Sequence, residues 1–132
     1  MTDLDALIAK VEGAKEGDEV LDLAIFLALH PDDPTVAKWA KTLAAMDDFE
    51  RVHWASRFLD LPHYTSDPNA IMKLVEAKLP GANWRVSRWG VDEYAASVFA
   101  PKMFEADGQP TPALALCLAL LRALKTQEEG KP

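Results

Sequence analysis

The sequence predicts a single α+β domain spanning residues 1–132, arranged as a layered α/β/α sandwich with a small antiparallel sheet, N-terminal helices and a buried C-terminal helix. The strongest observation is the segment 111–121, in which a capping threonine and a first-turn proline precede an unbroken run of small and aliphatic residues. This helix has no polar face, and it is shorter than the roughly 20 residues that cross a bilayer, so other elements must cover it. Segments with the two-residue period of strands, between residues 52 and 100, supply the sheet on which it would lie.

Three helices are expected before the sheet. The first follows the cap Thr2 and stops at Gly13. The second begins at Asp18 and ends at His30-Pro31, because the residue before a proline is displaced from the helical region. Residues 34–46 form the third helix, after an acidic cap and with a proline in its first turn.

The sheet is predicted to contain three strands. Residues 52–59 alternate between apolar and mixed side chains, which is the period of a strand. A helix that begins at Asp67-Pro68 separates this strand from residues 83–89 and 94–100, which form an antiparallel hairpin. Residues 101–110 are interpreted as a loop that leads into the buried helix.

Composition and charge indicate a soluble, cytoplasmic protein. The formal net charge is −7, and a field of that sign repels nucleic-acid backbones, so general binding of DNA or RNA is not expected. Acidic residues follow Met1 where a secretory signal would carry positive charge, and no apolar run reaches spanning length, so no membrane association is expected. The single cysteine, Cys117, lies inside the apolar run and is expected to be a core residue in a reducing compartment.

The chain carries no pattern that indicates catalysis, a metal centre or a cofactor. None of His30, His53 and His63 has a second ligand at metal-binding spacing. Adjacent acids occur where helices begin or turns form, and capping explains them. The sequence contains neither a glycine-rich phosphate loop nor a nucleophile elbow. We therefore expect a protein that is not an enzyme and that holds no metal and no cofactor.

The tryptophans provide the main indication of binding. Trp84 and Trp89 have opposite parity in one predicted strand, so they point to opposite faces and one of them faces away from the main core. A second covering layer or a partner is one explanation, and an exposed ring beside Arg85 or Arg88 that binds a planar, anionic ligand is the other. Such a pocket would bring arginines and an aromatic ring together, and the candidate residues are Arg57, Tyr64, Arg88, Trp89 and Arg122.

Several segments resemble the phage ABA sandwich domain, a family of small phage and prophage proteins. The similar segments are YTSDPNAI at residues 64–71, the strand pair that carries Trp84 and Tyr94, TPALALCLALLRA at residues 111–123, and the shorter segments 7–12 and 21–25. The resemblance implies helices on both sides of an antiparallel sheet, a phage or prophage origin and a mostly uncharacterised function. Some proteins that look similar sequester nucleotide-derived immune signals of bacteria. Residues 34–46 look like an addition to the family's usual pattern.

We therefore expect an accessory protein of a phage or prophage that binds rather than catalyses, with a small nucleotide-derived signal of host defence as its ligand. The alternative is a protein–protein interaction module that inhibits or adapts a host complex, its acidic helical surface attracting a basic partner. An apolar helix and an outward tryptophan on a three-stranded sheet require more cover than one copy supplies, which predicts a homo-oligomer.

Overall fold

A three-stranded sheet follows five helices in the described chain, and a sixth helix comes after it. The computed structural model describes residues 3–30, 33–58, 61–91, 93–99 and 102–129. In chain order the elements are α1 (Asp3–Gly13), α2 (Glu19–Leu29), α3 (Pro34–Ala44), α4 (Asp48–Phe58), α5 (Pro68–Lys78), β1 (Asn83–Gly90), β2 (Glu93–Phe99), β3 (Met103–Gln109) and α6 (Pro112–Glu129). The fold is α+β, as the sequence predicts.

Acidic caps begin three of the N-terminal helices, as predicted. The side chains of Asp18, Asp33 and Asp67 each accept a hydrogen bond from the backbone N–H two residues further on, at 2.7, 2.8 and 3.0 Å. Prolines stand in the first turn of α3 and α5, where no amide donor is needed. These carboxylates satisfy N–H groups that have no partner within a helix. The predicted cap Thr2 lies outside the described residues.

The sheet is an antiparallel meander in the order β1-β2-β3. The predicted hairpin of residues 83–89 and 94–100 is confirmed as β1 and β2 for the residues that are described. The register shifts once in each strand pair, at Arg88–Gly90 of β1 and where β3 passes Tyr94 and Ala96 of β2. The second irregularity includes Gly108, whose φ of +65° is a left-handed conformation that glycine adopts at little cost.

Helix α6 is the centre of the core, which confirms the burial predicted for this segment. All side chains of residues 113–121 are at most 2% exposed. One side of α6 packs against β2 and β3, and other sides contact α1 and α5, so every direction around the helix is apolar. Although α6 is rich in leucine and alanine, neither it nor any other described helix is long and apolar enough to cross a membrane.

The opposite face of the sheet is left open by this arrangement. Helix α6 lies on the face that carries Val86, Ala96 and Val98, and α1 and α5 pack behind α6. The layers are therefore the sheet, then α6, then α1 with α5, whereas the predicted α/β/α sandwich has helices on both faces of the sheet. Among the described helices, α6 is the one that packs extensively against the strands. The other face of the sheet carries Trp89 and Phe99, and both side chains are exposed.

Residues 52–58 of the strand predicted over 52–59 belong to helix α4, so that prediction is wrong, and Leu59 lies outside the described residues. The Asp47 side chain accepts a hydrogen bond from a first-turn N–H at 2.8 Å, which begins a helix just upstream. Arg51 donates to the backbone oxygens of Leu43 at 2.8 Å and Met46 at 2.7 Å, where α3 ends and carbonyl groups lack partners. These contacts begin α4, the helix then packs against α2 and α3, and Ala55 within the alternating stretch is 1% exposed.

Residues 101–110, predicted as a loop, contain strand β3, which is a second correction. Phe104 and Ala106 face α6 and are partly or fully buried, whereas their neighbours in the strand face outward. The pair Asp107-Gly108 disfavours a strand and is typical of turns. Pairing with β2 and packing against α6 outweigh that local preference.

Candidate functional site

The open face of the sheet carries three large exposed apolar side chains. Trp89, Phe99 and Met103 are 73%, 49% and 58% exposed, and they line one broad depression together with Arg85 and Glu105. Phe99 and Met103 pair at one end of the strands and Trp89 lies at the other end. Exposed apolar side chains of this size mark interaction surfaces in soluble proteins. We call this surface the open sheet face and define it by Asn83, Arg85, Ser87, Trp89, Glu93, Ala95, Ser97, Phe99, Met103, Glu105 and Asp107.

The strand register fixes which residues of the open sheet face are neighbours. Arg85 pairs with Ser97, and Ser97 pairs with Glu105, so a cation and an anion lie in one row on either side of β2. In the next row Phe99 pairs with Met103. The side chains of β2 are small in the middle of this face and larger on the two flanking strands, which makes the face a shallow trough.

Trp89 is exposed because of its position in β1. Trp84 has the opposite parity and packs against the core, whereas Trp89 lines the depression. The register shift between Arg88 and Gly90 falls at Trp89 and leaves this residue outside the regular strand pairing. The prediction that one of the two tryptophans faces away from the core is confirmed, and the outward residue is Trp89.

The three arginines predicted for the site lie on three different elements and have separate partners. Arg57 lies on α4, with its guanidinium 5.5 Å from the ring centre of Trp54. Arg88 lies on β1 and donates from Nε to a backbone oxygen two residues further on, at 3.2 Å. Arg122 lies on α6 and donates to the backbone oxygen of Glu105 at 2.5 Å. None of the three lines the depression on the sheet.

Tyr64, the remaining predicted site residue, is part of the core. It is 4% exposed, and its hydroxyl shares a hydrogen bond of 3.2 Å with His30 Nε2. Burial raises the pKa of Tyr64 to about 12 and lowers the pKa of His30, so both groups are neutral near pH 7. The Cys117 thiol donates to the Tyr64 backbone oxygen at 3.2 Å, and burial raises the pKa of that thiol. Tyr64 therefore stabilises the fold and is not accessible to a ligand.

A buried carboxylate, Asp22, joins α2 to the loop that precedes α5. Its Oδ1 accepts from the Thr65 N–H and from the Thr65 hydroxyl, both at 2.7 Å, and its Oδ2 lies 3.4 Å from His63 Nδ1. Burial raises the pKa of Asp22, although the hydrogen bonds from Thr65 and the nearby His63 act in the opposite direction. Thr65 is fully buried and donates to a carboxylate rather than to an imidazole, so this trio is not an activated nucleophile with its base.

A second depression lies between the start of α2 and the start of α4. Glu16, Asp18, Glu19 and Asp48 line it, and Phe49 beside them is 83% exposed. Capping and the helix dipole explain why acidic residues lie at these helix N-termini. They do not explain why the apolar side chain of Phe49 is exposed. We call this surface the acidic cleft.

The β3 side of the open sheet face is not predicted from the sequence. Met103 and Glu105 fall in the segment predicted as a loop, although apolar and polar residues alternate from Glu105 to Asp107 and Ala106 points inward. That alternation was the available signal, and it is short. The consequence is that the row of Arg85 and Glu105 could not be recognised before the register was known.

Neither metal ligands nor known relatives assign a function. In the part of the chain that the structure describes, no three His, Cys, Asp or Glu side chains are grouped so that they could hold a metal ion. No protein-family model matches the chain, and no curated protein and no solved structure matches it. The open sheet face and the acidic cleft are therefore the surfaces from which a function can be inferred.

Proposed function

We propose that this protein is a non-enzymatic binding protein of a phage or prophage, which sequesters a small nucleotide-derived signal of host defence in the cytoplasm of a bacterial host. The observation that carries the proposal is the ring of Trp89, 73% exposed, on the same sheet face as the Arg85 guanidinium. Aromatic rings stack on nucleobases, and arginine pairs with phosphate through two parallel hydrogen bonds. The phage origin is supported by the sequence resemblance.

The spacing of the two groups restricts the shape of the ligand. Arg85 and Trp89 are separated by about 13 Å of extended strand, so the ring and the negative charge must lie well apart on the ligand. A cyclic dinucleotide or an ADP-ribose derivative has such a shape, whereas a free nucleobase does not. Ser87 lies between the two residues in β1 and lines the same depression, where its hydroxyl can bind a sugar or phosphate oxygen.

Thermal-shift measurements with cyclic nucleotides and ADP-ribose derivatives test this proposal. A ligand at 100 times its dissociation constant adds roughly 2.7 kcal/mol to the free energy of unfolding, which raises the melting temperature by several degrees. We expect Trp89→Ala and Arg85→Ala to abolish the shift. Lys73→Ala, which removes an exposed cation from α5, is the matched control and should keep it. A wild-type protein that none of these compounds stabilises would rule the proposal out.

The acidic cleft favours a second candidate function, that of a protein–protein interaction module that inhibits or adapts a host complex. Phe49 is almost fully exposed beside four acidic residues, and a partner segment with one apolar side chain flanked by lysines or arginines complements such a surface. Charge complementarity of this kind speeds association and weakens as salt is added.

Capture of a partner from host lysate by wild-type and variant protein tests the second candidate. The supporting result is a basic partner that wild type retains, that raised salt releases, and that Phe49→Ser fails to retain. Val91→Ser removes another apolar side chain that is 82% exposed and is the control, which should retain the partner. A partner that Phe49→Ser binds as well as wild type does would contradict this function.

A further inference from the structure

We propose that a second copy of this chain docks on the open sheet face, forming a two-fold symmetric dimer whose axis runs along β2. The inference rests on the proposed function only in taking the open sheet face as the binding surface. It adds a regulation of that site, because a second copy and a ligand stacked on Trp89 would compete for the same face.

The distribution of charge over the three strands selects this arrangement. On the open sheet face β1 carries the cation Arg85 and the ring of Trp89, whereas β3 carries Glu105 and Asp107. The central strand β2 contributes Ser97 in the row between Arg85 and Glu105. The face is thus divided lengthwise, with a basic strand on one side and an acidic strand on the other.

A two-fold axis along β2 places each basic strand over an acidic one. Rotation by 180° about this axis exchanges the positions of β1 and β3, so Arg85 of each copy lies over the partner's Glu105. Because the two residues share one row of the register, the same rotation forms both ion pairs at once. An axis across the strands would instead place β3 on β3 and bring like charges together, which disfavours it.

The apolar side chains of the face also suit a second sheet. Two sheets pack about 10 Å apart with side chains from both faces interdigitating. Trp89, Phe99 and Met103 project from the face, and the small Ala95 and Ser97 of β2 leave the space into which a partner's side chains can fit. Phe99 lies on the axis, so it would pack against the partner's Phe99.

The size of the face predicts a weak and reversible dimer. Three strands of about seven residues cover a projected area of only roughly 300 Å² per copy, so the interface is small. Glu93 lies at the end of β2 and would face the partner's Glu93, which weakens the association further. We therefore expect dissociation constants in the micromolar range and a dimer that tightens when this repulsion is removed.

Sedimentation equilibrium over protein concentrations from about 1 to 500 µM, without ligand, tests the dimer, because a micromolar dissociation constant lies within this range. We expect the mass to rise from one chain toward two, Arg85→Glu or Glu105→Arg alone to weaken the dimer at least tenfold, and the double variant R85E/E105R to restore it. Glu93→Gln should tighten it. Lys73→Glu makes the same charge change on α5 and is the control that should leave the association unchanged.

The proposal is overturned by a single-chain mass at every concentration, or by a dimer that responds to Arg85→Glu no more than to Lys73→Glu. Rescue by the double variant shows that loss of the dimer in a single variant is not loss of folding. Glu105→Arg separates this proposal from the proposed function, because it leaves Arg85 and Trp89 in place. A protein that fails to dimerise can still show the ligand-induced thermal shift. A protein that dimerises can equally fail to show that shift.

Discussion

At the scale of single residues, Gly17 marks a close approach between two distant parts of the chain. A Cβ placed on this residue would lie 2.5 Å from Ser66 Cβ and 3.0 Å from the Thr65 backbone oxygen. The same junction holds the Asp18 N–H, which donates to the Thr65 hydroxyl at 2.8 Å. The turn before α2 and the loop before α5 therefore meet with no space for a side chain at Gly17.

Gly17→Ala is expected to destabilise the protein by about 1–3 kcal/mol, because the new methyl group displaces backbone and not only a flexible side chain. Chemical denaturation measures the change. Gly13→Ala is the control, since a Cβ there meets nothing within 4 Å and alanine favours the end of α1 by up to about 1 kcal/mol. Equal effects of the two substitutions would contradict the close approach.

The buried Asp22 makes stability depend on pH. Burial raises the pKa of this carboxyl above its ordinary value of 3.8, so the native state binds the proton more tightly than the unfolded chain does. The free energy of unfolding should therefore decrease as pH rises from about 4 through the raised native pKa, because the stabilisation from the tightly bound proton is lost. The groups that face it are Thr65, His63 and, more distantly, Tyr64 and Cys117.

Denaturant unfolding of wild type and Asp22→Asn between pH 4 and 7 checks this sign, in the range where a carboxyl with a raised pKa titrates. Asparagine does not titrate but can still accept from Thr65, so the stability of wild type relative to the variant should fall as pH rises. A difference that stays constant over this range, or that grows in favour of wild type, would show that burial does not dominate at Asp22.

At the scale of secondary structure, the burial of α6 predicts the largest effect of a single truncation. Leu118→Ala removes a side chain that is 1% exposed between the sheet and the N-terminal helices, and it should cost about 2–5 kcal/mol. Leu124→Ala, on the same helix but only partly buried, is the control and should cost less. Urea denaturation of both variants checks the difference, and similar losses would mean that the core is not centred on this helix.

Helices and strands could be predicted from the sequence where their stabilising contacts are local, and not where those contacts come from distant parts of the chain. The helices that begin with Asp33-Pro34 and Asp67-Pro68 carry their start signals locally, and the burial of α6 follows from its composition, so these predictions are confirmed. Helix α4 is fixed by Asp47 and by Arg51, which caps the preceding helix, so the alternation of residues 52–58 was misleading. Strand β3 depends on pairing with β2, and its local signal, the alternation from Glu105 to Asp107, is too short to predict it.

The features of the candidate site that depend on local sequence could be predicted, and those that depend on long-range pairing could not. Parity in one strand was enough to place either Trp84 or Trp89 outside the core. Arg85 and Glu105 become neighbours of a common row only through the register of three strands, and Tyr64 is buried by contacts with His30 and Cys117 that are distant in sequence. Long-range pairing, and not residue type, decides which of these side chains is exposed.

At the scale of the whole molecule, the net charge of −7 sets the response to salt. Acidic side chains repel one another over the surface, and added salt screens this repulsion to a range of about 10 Å at 0.1 M. We expect the melting temperature of dilute protein to rise by a few degrees between roughly 0.05 and 0.5 M NaCl. A fall would show that attractive pairs such as Lys125–Asp5 dominate over the repulsion.

The burial of Cys117 allows the opening of the core to be measured by the rate at which its thiol is alkylated. This thiol is the chain's sole cysteine and has no exposed surface, so an alkylating reagent reaches it only when α6 separates from the layers around it. The labelling rate in native buffer, divided by the rate for a free thiolate peptide, then reports how often the folded molecule opens, without denaturant or an added probe.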